Sequence, residues 1–145
     1  MPLVIERAQP EDIPAVLSLL ERHGLPLDGA DAMGDAVVVA RLDGRVVGAA
    51  GLERYADGAL LRSVVVDAGA QGEGLGQRLT EAALALARDL GMPSVFLLTT
   101  TADGFFPRFG FERIGRDEVP EAVRQSVEFR SACPASAVVM RKSLG

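Results

Sequence analysis

Apolar residues recur along this chain with two different periods. Ile13, Val16, Leu17 and Leu20 fall at helical spacing, and Gly24 with Pro26 breaks the pattern, which predicts a first amphipathic helix. Val37 to Leu42 and Val46 to Leu52 are β-rich runs. Between them Asp43-Gly44 is a two-residue hairpin signal, with glycine where a positive φ is needed. Asp57-Gly58 turns the chain again into Leu60 to Val66, so three successive strands form an antiparallel meander. Past a glycine-rich stretch, Leu79, Ala82, Ala83, Leu86 and Leu90 share one helix face that must pack on the sheet, and Gly91-Met92-Pro93 ends it. Val95 to Thr99 reads as a short buried strand, reached through the helix as in a parallel crossover. Thr101 is a candidate N-cap ahead of Phe105, Phe106, Phe109 and Phe111. Pro107 lacks an N–H and keeps any helix there short or kinked. Ala137 to Arg141 is the last strand. No repeat, low-complexity tract or linker divides the chain, so residues 1–145 form one α/β domain.

The segment between strand and helix carries the chemistry. Val64-Val65-Val66 is followed by Gln71-Gly72-Glu73-Gly74-Leu75-Gly76 and then by Gln77-Arg78, which opens the helix. At a helix mouth the first backbone N–H groups lack intrahelical partners, and the peptide dipoles sum to roughly half a positive charge, so phosphate is the natural guest. Glycines at 72, 74 and 76 remove side chains that would hold a pyrophosphate away. A P-loop requires Lys and then Ser or Thr after its last glycine, and a dinucleotide fingerprint requires G-x-G-x-x-G; neither is present. The remaining pattern is Q-x-x-G-x-G, formed by Gln71, Gly74 and Gly76 between a strand and a helix. A turn that merely joins the two is the alternative.

This loop resembles the acetyl-CoA loop of the GNAT N-acetyltransferase superfamily. The segment Phe105-Phe106-Pro107-Arg108-Phe109-Gly110-Phe111 is similar to a second GNAT pattern, an aromatic pair and a Gly-Phe step beside the CoA thiol arm. The resemblance implies a mixed, mostly antiparallel central sheet flanked by helices, with a splayed parallel pair around the acetyl-CoA site. It also implies acetyl-CoA as cosubstrate and a homodimer. The implied cofactor contacts are Val64, Val65, Val66, Gln71, Gly72, Glu73, Gly74, Leu75, Gly76, Gln77, Arg78, Thr100, Phe105, Phe106 and Phe109. Two positions depart from the family. Many members carry tyrosine, the usual proton donor to the departing thiolate, where this chain has Phe106. Many also carry asparagine where it has Thr99, Thr100 and Thr101. The only tyrosine, Tyr55, lies on another strand or its turn.

The implied reaction is direct attack of a neutral amine on the thioester carbonyl, with a backbone N–H of Val65 or Val66 holding the developing oxyanion. An amine of pKa near 10 is mostly protonated at pH 7, so attack needs a base. Glu53 is the first candidate, against the alternative of a solvated surface glutamate, and Glu128 is the second. The tail from Glu128 to Ala137, with Leu61-Arg62-Ser63 and Leu97 to Thr101, resembles the GNAT subgroup associated with arsenic-resistance genes. A sibling subgroup acetylates an arsenic-containing amino acid analogue. A substrate of that kind presents a carboxylate or oxyanion, which fits arginine, so Arg62, Ser63 and Arg130 are the candidate substrate contacts.

Composition narrows the classes. With 48% hydrophobic and 24% charged residues the chain is that of a globular protein, and a net charge of −5 argues against nucleic acid or an anionic membrane as partner. No segment reads as a signal peptide or membrane span, so a cytoplasmic protein is expected. One cysteine, Cys133, cannot form an internal disulfide or supply the thiolates that arsenic prefers, and with a single histidine the chain offers no zinc site. Cys133 reads as a small buried hydrophobe, and His23 as a structural cation at a helix end. The expected function is acetyl transfer to a primary amine of a small molecule, an amino acid or analogue. Protein N-acetylation and a non-catalytic acyl-CoA-binding module are the alternatives.

Overall fold

The pleat of β-rich runs and the 3.6-residue period of two helices assemble into one sheet covered on both faces. The structure is a computed structural model that describes residues 3–24, 36–55, 58–70, 74–99, 104–124 and 137–144. The strands are β1 (Leu3–Arg7), β2 (Val37–Leu42), β3 (Arg45–Tyr55), β4 (Gly58–Val66), β5 (Ser94–Thr99), β6 (Glu112–Ile114) and β7 (Val138–Ser143), and the helices are α1 (Ile13–Arg22), α2 (Leu75–Asp89) and α3 (Glu121–Arg124). The seven strands lie in the order β1-β2-β3-β4-β5-β7-β6. Every neighbouring pair is antiparallel except β4 and β5, which are joined through α2 and therefore run parallel.

The hairpin forms as its dipeptide dictates: Asp43 (φ 54°) and Gly44 (φ 80°) both take the left-handed region, and Leu42 pairs with Arg45. Two strand readings need correction, and two edge strands are additions. β3 runs past Leu52 to Tyr55, β7 covers Val138–Ser143, and the short edge strands β1 and β6 carry no pattern that marks them. Leu3–Arg7 alternates half-buried and exposed positions too briefly to stand out, and it becomes a strand because β2 offers a partner edge. The aromatic segment closes as a single 3-10 turn at Phe106–Phe109 with Pro107 in its first turn, and Gly110 (φ 91°) ends it. Thr101 lies outside the described residues.

α2 buries Leu75, Leu79, Ala83, Leu84, Leu86 and Ala87 against one face of the sheet, where Val38, Ala50, Leu52, Leu61, Val95 and Leu97 meet it. On the opposite face α1 packs Val16, Leu19 and Leu20 on Val37, Val39, Ala49 and Val65. Farther along that face, Val119 and Val123 cover Leu60, Phe96 and Val139. Outside the apolar clusters Arg41 joins β2 to the approach of α1: it donates to both carboxylate oxygens of Asp12 (2.8 and 2.5 Å) and to Glu6 (2.6 Å). That pairing holds the Asp12 carboxyl below its ordinary range.

Candidate acetyl-CoA site

β4 and β5 start as neighbours and then part. Their parallel pairing is confined to Ala59↔Val95 and Leu60↔Phe96, although β4 continues to Val66 and β5 to Thr99. Two residues past Leu60, β4 also bulges against β3. Arg62 faces Gly51 and Val65 faces Ala49, so residues 63 and 64 share the single partner Ala50. A bulge bends its strand and sharpens the local twist, which turns the end of β4 away from β5. Val66, at the end of β4, borders a cavity at the N-terminus of α2.

There Gly74 is the N-cap in the left-handed region, φ 72°, and Arg78 N–H already donates to its carbonyl at 3.1 Å. The N–H groups of Leu75, Gly76 and Gln77 precede that first helical bond and remain at the positive end of a fifteen-residue helix. A cavity of about 240 Å³ lies at this mouth, lined by Val66, Gly74, Leu75, Gly76, Gln77, Phe105 and Arg108. A second, of about 400 Å³, runs along α2 past Gln77, Glu81, Leu84 and Arg88 to Phe109 and Lys142, and it shares Gln77 and Arg108 with the first. Packing does not demand the two glycines. A Cβ at Gly74 would meet no atom within 4 Å, and one at Gly76 would meet only the edge of Phe105 at 3.9 Å. The left-handed backbone at Gly74 favours glycine by itself, and at both positions the absence of a side chain leaves the approach to the N–H groups open. The cradle fits a pyrophosphate.

The candidate residues are distributed unevenly about this cavity. Val66, Gly74, Leu75, Gly76, Gln77 and Phe105 line it, and Phe109 lines its neighbour. Val64 packs half-buried against the α2 core, whereas Val65 points to the other sheet face beside α1. Arg78 is exposed on α2. Phe106 is buried, with its ring edge-to-face with Phe105 (5.1 Å) and Phe111 (5.8 Å), so it joins the core and supports Phe105 from behind. Gln71, Gly72, Glu73, Thr100, Glu128, Arg130 and Cys133 lie outside the described residues, as does the side chain of Ser63. Arg108 was not marked by the sequence reading. Its guanidinium sits 4.9 Å from the Phe105 ring centroid and borders both cavities. The available signal was a cation inside the aromatic segment, but only the fold carries that segment to the helix mouth.

Glu53 is not a solvated surface glutamate. Its side chain is 1% exposed, one carboxylate oxygen accepts from Arg62 Nη1 at 2.8 Å, and the other accepts from the Tyr55 hydroxyl. Arg62 is equally buried. Glu53 and Val66 are not brought together. Glu53 is five residues along β3 from Gly48, the partner of Val66, or roughly 17 Å at ~3.3 Å per residue. His23 lies 3.8 Å from Asp67 at the end of α1. Among the described residues no three metal-binding side chains gather, and no helix is long and apolar enough to cross a membrane.

Residues 33–113 match the family model described as an acetyltransferase (GNAT) domain. The chain belongs to the GNAT acetyltransferase family. It is an acetyl-CoA-dependent N-acetyltransferase domain, with acetyl-CoA as its cosubstrate. The chain is 33% identical over 123 residues to an amino-acid acetyltransferase of Mycobacterium tuberculosis, covering 77% of this chain and 69% of that protein. The structure of N-acetylglutamate synthase from Neisseria gonorrhoeae, complexed with coenzyme A and N-acetyl-glutamate, superposes with a TM-score of 0.82 at 25% identity; the match covers all of this chain and 36% of the other. A CoA complex of a Mycobacterium tuberculosis protein, Rv2747, gives 0.81 at 28% identity, covering 98% of this chain and 99% of that one. This chain therefore spans about a third of the Neisseria relatives and just over two thirds of the mycobacterial amino-acid acetyltransferase.

Proposed function

We propose that this protein transfers the acetyl group of acetyl-CoA to the α-amino group of a free amino acid or a close analogue. The observation that carries the reading is the cavity where the divergence of β4 from β5 meets the open N-terminus of α2. Support for the acceptor class comes from relatives named as amino-acid acetyltransferases. The N–H groups of Leu75, Gly76 and Gln77 hold the pyrophosphate, and Arg108 adds a cation beside it. Phe105 supplies an apolar wall, and the backbone of Val66 faces the thioester arm and stabilises charge developing on its oxygen. Acetyl-CoA supplies the activated carbonyl. The amine must be neutral to attack it, so turnover rises as pH approaches the amine pKa. Phe106 has no hydroxyl to give, and a thiol of pKa near 8.5 departs as its anion without one.

Arg62, Ser63 and Arg130 remain the candidate contacts for the acceptor's carboxylate or for an arsenic oxyanion, Arg62 from a buried position beside Glu53. The finer proposals are a link to arsenic resistance, a cytoplasmic location and a homodimer. The test is thiol release from acetyl-CoA with L-glutamate, L-glutamine, the other amino acids, an arsenic-bearing amino acid analogue, polyamines and a peptide with a free N-terminus. Saturable turnover with an amino acid is expected. Turnover with the peptide alone would overturn the small-molecule reading. Acetyl-CoA binding without thiol release across the panel would favour a non-catalytic module, the reading that the buried, hydroxyl-free Phe106 suggests.

A further inference from the structure

Of the described charged side chains, Glu53 and Arg62 are the ones most completely removed from water. They project from the face of the sheet opposite α2. On one side lie Ala49 and Val65, packed under α1, and on the other Leu60 and Phe96, packed under Val119 and Val123. Burying two charges in such walls is costly, and well-packed apolar residues of similar volume serve stability as well or better. Stability therefore does not account for the pair. Its position does. Arg62 stands two residues after the last β4–β5 pair, at Leu60, and immediately before the bulge at residues 63 and 64. The ion pair crosses from Arg62 to Glu53 on β3, and the Tyr55 hydroxyl clamps the other carboxylate oxygen from the same strand. Charge-assisted hydrogen bonds have narrow geometry, so the network fixes β4 to β3 at the point where β4 leaves β5.

We propose that Tyr55, Glu53 and Arg62 form a positioning network that holds the β4 bulge in register and so sets the backbone of Val64–Val66 against the thioester arm, with Glu53 acting through Arg62 and not as the base that takes the amine proton. The proposal rests on the acetyl-transfer reading above. Both Glu53 oxygens accept hydrogen bonds, and the residue lies far along the strand from Val66, so it is poorly placed to accept a proton at the reacting carbon.

Glu53→Gln, Arg62→Met and the double variant are compared with the wild type in two assays: thiol release from acetyl-CoA with L-glutamine or L-glutamate at about pH 7 and pH 9, and amide hydrogen exchange. Each single variant is expected to lower kcat about tenfold, by the same factor at both pH values, and the double variant to lose no more than either. Exchange at Val64–Val66 should accelerate while that of Val37–Leu42 stays as in the wild type. Arg62→Lys, which keeps the charge, should recover part of the rate. A loss concentrated at pH 7 and relieved at pH 9 would make Glu53 a base and overturn the proposal, and so would additive losses or unchanged exchange. Should the ion-pair variants fail to fold, Tyr55→Phe removes one hydroxyl and leaves the pair. A two- to threefold, pH-independent loss is expected there, and an unchanged rate would overturn the clamp. Failure of the wild type to bind acetyl-CoA would sink the acetyl-transfer reading instead, and the exchange data would still decide whether the pair holds the bulge.

Discussion

Gly74→Asp separates folding from cosubstrate binding. Gly74 caps α2 at φ 72°, with open space around a Cβ built there. Aspartate enters the left-handed region more readily than most residues and is favoured at a helix N-terminus, so the two effects offset and the unfolding free energy should change by less than about 1 kcal/mol. Binding should respond differently. A carboxylate about 5 Å from the pyrophosphate, at an effective dielectric of ~20, is repelled by about 3 kcal/mol per unit charge, more than a hundredfold in Kd. The assay is thermal unfolding with and without acetyl-CoA. At a hundred times Kd the wild type gains about 2.7 kcal/mol, roughly 6–10 °C for a domain of this size. The same concentration then stands near the Kd of the Asp variant, where the gain is about 0.4 kcal/mol and the shift about 1 °C. Gly74→Asn keeps the backbone tolerance without the charge and should retain most of the wild-type shift. A full shift in the Asp variant would refute the placement of the pyrophosphate at the mouth of α2. Equal losses in Asp and Asn would show that shape, not charge, excludes the ligand.

Other parts of the fold yield further expectations. A Cβ at Gly48 would come within 2.8 Å of Leu79 Cδ1 and 3.1 Å of the Val65 carbonyl, so Gly48→Ala should destabilise by about 1–3 kcal/mol in urea titration and, by moving the partner of Val66, also weaken acetyl-CoA binding. Arg108→Gln should raise the acetyl-CoA Kd about three- to tenfold in calorimetry with no change in Tm, because its side chain is exposed and borders both cavities. Asp12→Asn removes one of the three oxygens that accept from Arg41, together with the charge that pairs with it, and should cost about 2 kcal/mol at pH 7. Arg41 lowers the Asp12 pKa from 3.8, so this stabilisation is present above that ordinary value and is lost as pH falls through the lowered one. The difference in urea midpoint between wild type and variant should therefore be level from about pH 5 to 8 and close in acid, and a gap that widened in acid would contradict the pairing.

Much of this protein is set by local chemistry that a linear reading recovers. The Asp43-Gly44 hairpin, the helix carrying Leu79, Ala83 and Leu86, and the parallel crossover from Val66 to Val95 depend on turn residues, periodicity and connection length, all of which act between near neighbours. The start of α2 just after the Gly74 cap is legible for the same reason, since a helix mouth exposes its N–H groups wherever the helix is. Tertiary structure decides the rest. β1 and β6 are strands only because partner edges are waiting for them. Arg108 becomes a cavity residue because a 3-10 turn carries it to α2. Phe106 goes to the core while Phe105 faces the cavity, although nothing in the dipeptide tells them apart. Glu53 reads as a surface charge or a base until the register of β3 and β4 seats it, buried, against Arg62 on the face opposite α2. Local propensity acts over a few residues, but burial and long-range pairing depend on which distant segments share the same space.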